Sequence, residues 1–313
     1  MVVDTILCGN AWQLAPTLDD ESVNCIVTSP PYWGLRDYGC EGQFGLEKTP
    51  DEYIARLVEL FTLLHPKLRK DGTLFVNIGD SYLGSNCGSN DYREAGSSIS
   101  KSDDKYKGQK PGSYGRAKDM ACIPEMFVLT MRQAGWWKRN TIIWSKLNPM
   151  PESVTDRCTT AHEYIFFFTR SAKYWIDMDA VRQGNAREWD ANNGGSISTG
   201  RQVGCKGKMG DMSTHPKGYP LPNPLGANLK TVWQFPTQPY HEAHFTTYPE
   251  KLPETCILMG CPQDGLVLDP FAGSGTTCAV AKRLRRHYLG FELNPEYVKL
   301  CEKRVAQCQQ PMF

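Results

Sequence analysis

The 313-residue chain has no apolar run approaching the roughly 18 residues that would span a bilayer. Its opening, MVVDTILCGN, lacks the basic stretch and continuous apolar segment of a secretion signal. No two of its 12 cysteines are spaced Cys-x-x-Cys, which removes zinc-ribbon and thioredoxin readings. Nor is either sign of charge in excess. With 35 Lys and Arg against 34 Asp and Glu, the net charge of +1 excludes a polybasic tail but not a local basic face. The phosphate cradle GxxxxGK[ST] is missing, as is the third glycine of the dinucleotide fingerprint, so ATP and NAD have little support. A chain of this length buries a core without disulfide staples. Its cysteines therefore read as reduced and the protein as cytoplasmic, with no membrane partner.

What is present alternates between strands and helices. Thr5 to Cys8 reads as a strand, Ala11 to Leu18 as a short helix, and Val23 to Val27 as a second strand. A helix opened by Thr49-Pro50-Asp51-Glu52 carries Tyr53, Leu57, Leu60, Leu64 and Leu68 on one face, and Thr73 to Ile78 forms a buried strand after Asp71-Gly72. Residues 84–118 are dominated by Gly, Ser, Asn, Asp and Lys and read as a long loop. A helix follows over Pro124 to Ala134, then strands at Thr141 to Trp144 and Tyr164 to Thr169. Residues 184–243 are rich in Gly, Asn and Pro and read as an inserted lobe. The α/β pattern then returns: helix Pro253 to Met259, strand Leu266 to Leu268, helix Thr276 to Arg285, strand Tyr288 to Phe291 and helix Pro295 to Cys308. The expected fold is α/β, a doubly wound and mainly parallel sheet. Residues 1–183 and 244–313 form two halves of one domain, interrupted by the insert 184–243.

Two loops carry chemistry. In Leu266-Val267-Leu268-Asp269-Pro270-Phe271-Ala272-Gly273-Ser274-Gly275-Thr276-Thr277, a strand ends in an acid, passes a glycine turn and enters a helix. Gly273 and Gly275 let backbone approach a ligand closely. Glu292 ends the next strand 17 residues after Gly275, where an acid can bind ribose hydroxyls. Together they suit an adenosyl ligand that carries a carboxylate instead of phosphates. In the second loop, Thr28-Ser29-Pro30-Pro31-Tyr32-Trp33, the two prolines force the chain out of the sheet. The Ser29 hydroxyl and Pro30 carbonyl are acceptors suited to the two hydrogens of an exocyclic amine, and Tyr32 offers a flat stacking face. Either loop alone is compatible with an ordinary turn; the pair is more specific.

The pair resembles the amino-methyltransferases of DNA. The catalytic loop precedes the cofactor loop, as in their permuted β group. The resemblance implies a Rossmann-like methyltransferase fold, S-adenosylmethionine as cofactor, and duplex DNA as substrate. It places Ser29, Pro30, Pro31 and Tyr32 in catalysis, with Tyr32 and Trp33 stacking the target base. Toward the cofactor it places Asn10, Thr246, Lys251, Pro253, Asp269, Pro270, Phe271, Gly273, Ser274, Gly275, Thr276 and Glu292. The insert 184–243 falls at the family's usual position for target recognition. A serine opening the catalytic tetrapeptide usually goes with N4 of cytosine in that family, so cytosine is preferred over N6 of adenine. A cognate restriction endonuclease is a possible partner; monomer and homodimer both stay open.

Direct transfer needs no covalent enzyme intermediate. The Pro-Cys loop of ring-carbon methylation is absent, and Cys261-Pro262 has the reverse order. Basic residues gather in the two loop-rich segments. Lys101, Lys105, Lys107, Arg201, Lys206 and Lys208 are the expected phosphate contacts, although any single lysine there is as compatible with a solvated loop. His241 and His244 are spaced like a ligand pair but have no third ligand near, so no metal is expected. Two rivals remain: a silent DNA-binding protein that kept the fold, and an RNA methyltransferase.

Overall fold

The computed structural model describes residues 2–83, 115–116, 118–184, 225–238 and 248–308. Its main unit comprises residues 1–177 and 230–313. It is built on an eight-stranded sheet: β1 (Thr5–Cys8), β2 (Val23–Thr28), β3 (Leu68–Ile78), β4 (Trp137–Lys146), β5 (His162–Thr169), β6 (Val232–Phe235), β7 (Leu266–Asp269) and β8 (His287–Glu292). The strand order is β1-β8-β7-β2-β3-β5-β4-β6. Every neighbouring pair is parallel except those made by β5, which runs against both β3 and β4.

The helices are α1 (Ala11–Leu14), α2 (Pro50–Leu64), α3 (Ile123–Gln133), α4 (Lys251–Gly260), α5 (Thr276–Arg283) and α6 (Pro295–Gln307). In β3, Leu74, Val76 and Ile78 point into the core shared with α1, α2 and α3. Thr73, just before them, faces the opposite side, where its hydroxyl donates to Gly260 O at the end of α4. Helices α4, α5 and α6 pack together on that second side. The sheet is therefore covered on both faces, and its strands read as near-continuous apolar runs. Local chemistry agrees with the element starts. Thr49 Oγ1 caps α2 by accepting the Glu52 N–H at 3.0 Å, and Pro50 takes the first helical position. Asp80, just beyond β3, accepts the backbone N–H groups of Ser81, Cys122 and Ile123 and so ties the end of that strand to the start of α3.

Several boundaries differ from the sequence reading. Helix α1 gives way to a 3-10 turn at Ala15–Thr17, because Pro16 offers no N–H to continue it. Helix α2 ends at Leu64, and Leu68 opens β3 by pairing with Val23. The expected insert 184–243 contains a sheet strand. β6 lies parallel to β4, with Trp233 buried and Phe235 stacked on Trp144 at 5.3 Å. Four residues between Pro- and Asn-rich stretches are too short for a periodic signal. The compact unit outside the main body spans 178–229. In it, Gln183 bridges Ala227, and Arg182 donates to Gly226 O and Asn228 Oδ1, both at 2.8 Å.

Candidate active site

The two loops meet because β2 and β7 are neighbours in the sheet. The parallel strands end on one edge, and the crevice there is where open α/β sheets place ligands. A cleft of about 510 Å³ opens at that edge. Ser29, Pro30, Pro31 and Tyr32 line one part of it, and Pro270, Phe271, Gly273, Ser274, Thr276 and Glu292 line another.

The Ser29–Tyr32 loop is held from below. The buried Tyr53 of α2 donates its hydroxyl to Pro31 O at 3.0 Å. Gly45, at φ +94°, lies so close to the Tyr32 carbonyl that a Cβ there would sit 2.8 Å from the oxygen. Tyr32 itself donates to Glu163 Oε2 at 2.6 Å, with Asn77 Oδ1 3.4 Å away. Glu163 also receives Asn77 Nδ2 at 3.0 Å and pairs with Lys146 at 2.6 Å. Burial, then the Glu163 charge, holds the Tyr32 phenol well above its ordinary pKa, so it stays a protonated donor.

On the cofactor side, Gly273 and Gly275 both adopt positive φ, +52° and +81°. A Cβ on Gly273 would meet nothing nearer than Phe271 O at 3.9 Å, whereas one on Gly275 would sit 2.3 Å from Cys301 Sγ. The first glycine serves approach to the cleft; the second serves packing against α6. Glu292 accepts the N–H groups of Gly273 and Asn294, each at 2.8 Å, and its burial raises its pKa. Tyr38 and Tyr297 meet edge to face at 6.4 Å along the wall, and Phe271 meets Phe44 at 5.2 Å. Asn10 caps α1 by accepting the Trp12 N–H at 3.0 Å, while its amide reaches Gly42 O at 3.3 Å.

Asp269 is corrected from cofactor ligand to buried strut. It is 1% exposed and absent from the cleft wall. Its Oδ1 accepts Thr28 Oγ1 at 2.6 Å and Phe271 N at 3.0 Å, and its Oδ2 accepts the Tyr248 hydroxyl at 3.1 Å. Thr28 precedes the Ser29–Tyr32 loop and Phe271 lies in the glycine loop, so one carboxylate joins both. Burial raises its pKa, against the lowering effect of these donors.

Other expectations also shift. Trp33 points into the core at 6% exposure and donates its indole N–H to Glu47 O, so it offers no stacking face. Lys251 pairs with Glu254 in the first turn of α4, and Pro253 is buried there; neither lines the cleft. Thr246, the loop residues Lys101, Lys105, Lys107, Arg201, Lys206 and Lys208, and the pair His241 and His244 lie outside the described residues. Cys25, Cys256 and Cys261 are buried, and burial raises their thiol pKa values, that of Cys25 to about 12; none is poised as a nucleophile. Asn77, Lys146, Glu163 and Tyr297 line the cleft without a sequence signal. Glu163 in particular reaches this edge only because β5 runs backwards.

A family profile of DNA methylases matches residues 23–303, which contain both loops. The chain belongs to the N6/N4 DNA methylase family. Among its relatives, the Type II methyltransferase M.Cfr9I of Citrobacter freundii is 38% identical over 303 residues, 96% of this chain and 87% of that protein. The Type II methyltransferase M.SmaI of Serratia marcescens is 37% identical over 304 residues, covering 96% and 90%. The solved PvuII DNA methyltransferase, described as cytosine-N4-specific, superposes with a TM-score of 0.64 at 18% identity, over 96% of this chain and 85% of that one. The M1.HpyAVI complex with S-adenosylmethionine gives 0.53 at 18% identity, covering 96% and 98%. The fold of this DNA methylase is thus the Rossmann-like methyltransferase fold, and its cofactor is S-adenosylmethionine. The cleft fits that molecule. Tyr38, Tyr297 and Phe271 would offer flat walls to a purine and Glu292 an acceptor to ribose hydroxyls, and the open side of Gly273 leaves room for close approach.

Proposed function

We propose that the protein methylates the exocyclic N4 of cytosine in a specific duplex DNA sequence. The observation that carries this reading is the convergence of Ser29-Pro30-Pro31-Tyr32 and the glycine loop on one cleft. S-adenosylmethionine supplies an electrophilic methyl group on its sulfonium. Ser29 and the Pro30 carbonyl accept hydrogen bonds from the amine, draw the nitrogen toward tetrahedral geometry and aim its lone pair. As the N–C bond forms the S–C bond breaks, leaving the neutral thioether, and the surplus amine proton passes to solvent. Positioning of this kind is worth roughly 7–11 kcal/mol. The base is extruded from the duplex, and Tyr32 stacks on its ring. Serine at the first loop position supports cytosine over adenine.

The basic segments 101–118 and 182–217 supply phosphate contacts, and the unit that includes the second supplies target recognition. Among the described residues no helix is long and apolar enough to cross a membrane. The Type II names of the relatives support a partner endonuclease acting on the same site. The test is transfer of labelled methyl from S-adenosylmethionine to duplex DNA, with RNA as control, followed by mass spectrometry of the digest. N4-methylcytosine is expected. N6-methyladenine as sole product would overturn the base assignment, and no transfer to DNA would overturn the reading as a whole.

A further inference from the structure

We propose that Glu163 is a positioning residue that fixes the plane of the Tyr32 ring and thereby sets the rate of methyl transfer. This rests on the reading that the extruded base stacks on Tyr32. Three donors from three elements converge on one carboxylate: the Tyr32 hydroxyl from the catalytic loop, Asn77 Nδ2 from β3 and Lys146 Nζ from β4. Asn77 is itself oriented, because its amide also donates to Tyr164 O at 3.1 Å. Glu163 and Lys146 are only 16% and 22% exposed at their side chains, so the pair is shielded from screening at the cleft floor.

The opposite edge of the ring is fixed as well. At Gly79 a Cβ would lie 2.8 Å from Tyr32 Cε2, so the ring packs against bare backbone. An aromatic side chain normally swings about two torsions. Here its tip is anchored on Glu163 and its edge on Gly79, which leaves one orientation. Stacking of a flipped base rewards a surface that is already in place, since a mobile ring must first be ordered. A half-buried ion pair kept for stability alone has no need of a hydroxyl from the Ser29–Tyr32 loop. The Tyr32 contact is what assigns Glu163 to the reaction.

The experiment uses the full chain, its DNA site mapped beforehand by methylation-sensitive sequencing. Single-turnover rates are measured for Glu163→Gln, Glu163→Asp, Tyr32→Phe and the double variant Tyr32→Phe/Glu163→Gln. Gln presents one acceptor to three donors, and Asp keeps the charge for Lys146 but falls one methylene short of the hydroxyl. Both are expected to slow transfer about tenfold or more, with S-adenosylmethionine affinity nearly constant. Tyr32→Phe should slow it comparably, and adding Glu163→Gln should then cost under about twofold more. Duplex carrying 2-aminopurine at the target position gives a readout free of chemistry: its short-lifetime stacked component should shrink in each variant. Should Glu163→Gln fail to fold, Gly79→Ala displaces the ring from the other side and should give the same two losses.

Unchanged rates in both Glu163 variants would overturn the inference, as would rescue by Asp or losses that multiply in the double variant. An unchanged rate and stacked component in Gly79→Ala would do the same. If Tyr32→Ala keeps full activity, the stacking reading falls. If Tyr32→Ala is impaired while the Glu163 variants are not, only the role of Glu163 falls.

Discussion

Replacing Asp269 by alanine tests whether one buried carboxylate holds the two functional loops together. The substitution removes the acceptor of Thr28 Oγ1, Phe271 N and the Tyr248 hydroxyl. Thr28 and Tyr248 can rotate their hydroxyls, and Tyr248 keeps a contact with Thr277, but the Phe271 N–H cannot turn away. An unsatisfied buried donor costs about 1–3 kcal/mol, so three partly compensated donors give roughly 3–5 kcal/mol of lost stability. Asp269→Asn keeps one acceptor oxygen for Thr28 and Phe271 and presents an N–H group to the Tyr248 oxygen. It should cost about 1 kcal/mol. The sign with pH follows from burial, which raises the Asp269 pKa. A carboxyl with a raised folded-state pKa gives its full contribution below the unfolded pKa and loses it as pH rises through the folded one. The deficit of Asp269→Asn relative to wild type should therefore shrink with increasing pH. Urea denaturation of the cofactor-free protein at several pH values measures all three quantities. Stability of Asp269→Ala within about 0.5 kcal/mol of wild type would refute the strut.

Glu292→Gln should weaken S-adenosylmethionine about tenfold, since a neutral amide replaces a charged acceptor. Because burial raises the Glu292 pKa, wild-type affinity should fall on acidification from a higher pH than an ordinary glutamate allows; the amide variant should lack that limb in calorimetric titrations. Tyr32→Ala should lose roughly 1–3 kcal/mol of base stacking and Ser29→Ala one amine acceptor, so methylation falls while cofactor affinity holds. DNA mismatched at the target, which costs less to unstack, should partly restore Tyr32→Ala and help Ser29→Ala less; equal rescue would contradict the division of labour. Gly275→Ala forces a methyl onto Cys301 at positive φ and should destabilise by about 2–4 kcal/mol, read as a lowered melting temperature.

The parts of the site visible in the sequence are those encoded by short contiguous runs. Pro30-Pro31 after an apolar strand, and Gly273 and Gly275 between a strand and a helix, carry local backbone requirements that composition cannot hide. The doubly wound core was readable for the same reason, since α2 shows its buried face in the spacing of Tyr53, Leu57, Leu60 and Leu64. Direction along the sheet has no such trace. His162 and Glu163 look like the start of any strand, and only the antiparallel course of β5 brings them to the edge where the other strands end. Trp33 misleads in the opposite way. An aromatic next to Tyr32 looks like a second stacking surface, yet the turn sends it into the core. Asp269 shows that a position at a strand end identifies a residue as important without saying whether it faces the ligand or the scaffold beneath.

The hydrogen bond from Thr28 to Asp269 spans 241 positions in the sequence. It bears on how the enzyme comes into being on the ribosome. At synthesis rates of about 5–20 residues per second, Thr28 and the loop it opens emerge roughly 10 to 50 s before Asp269. During that interval the β7 side of β2 has no neighbour, and the bond donors of Thr28 and Tyr53 point toward groups of which only some yet exist. Folding of the nascent chain must then wait for a long-range pairing of the kind that slows β-rich topologies. The pairing of β2 is complete only once β7 has been made and has taken its place between β2 and β8. A truncated product of interrupted translation would carry the Ser29–Tyr32 loop without its strut.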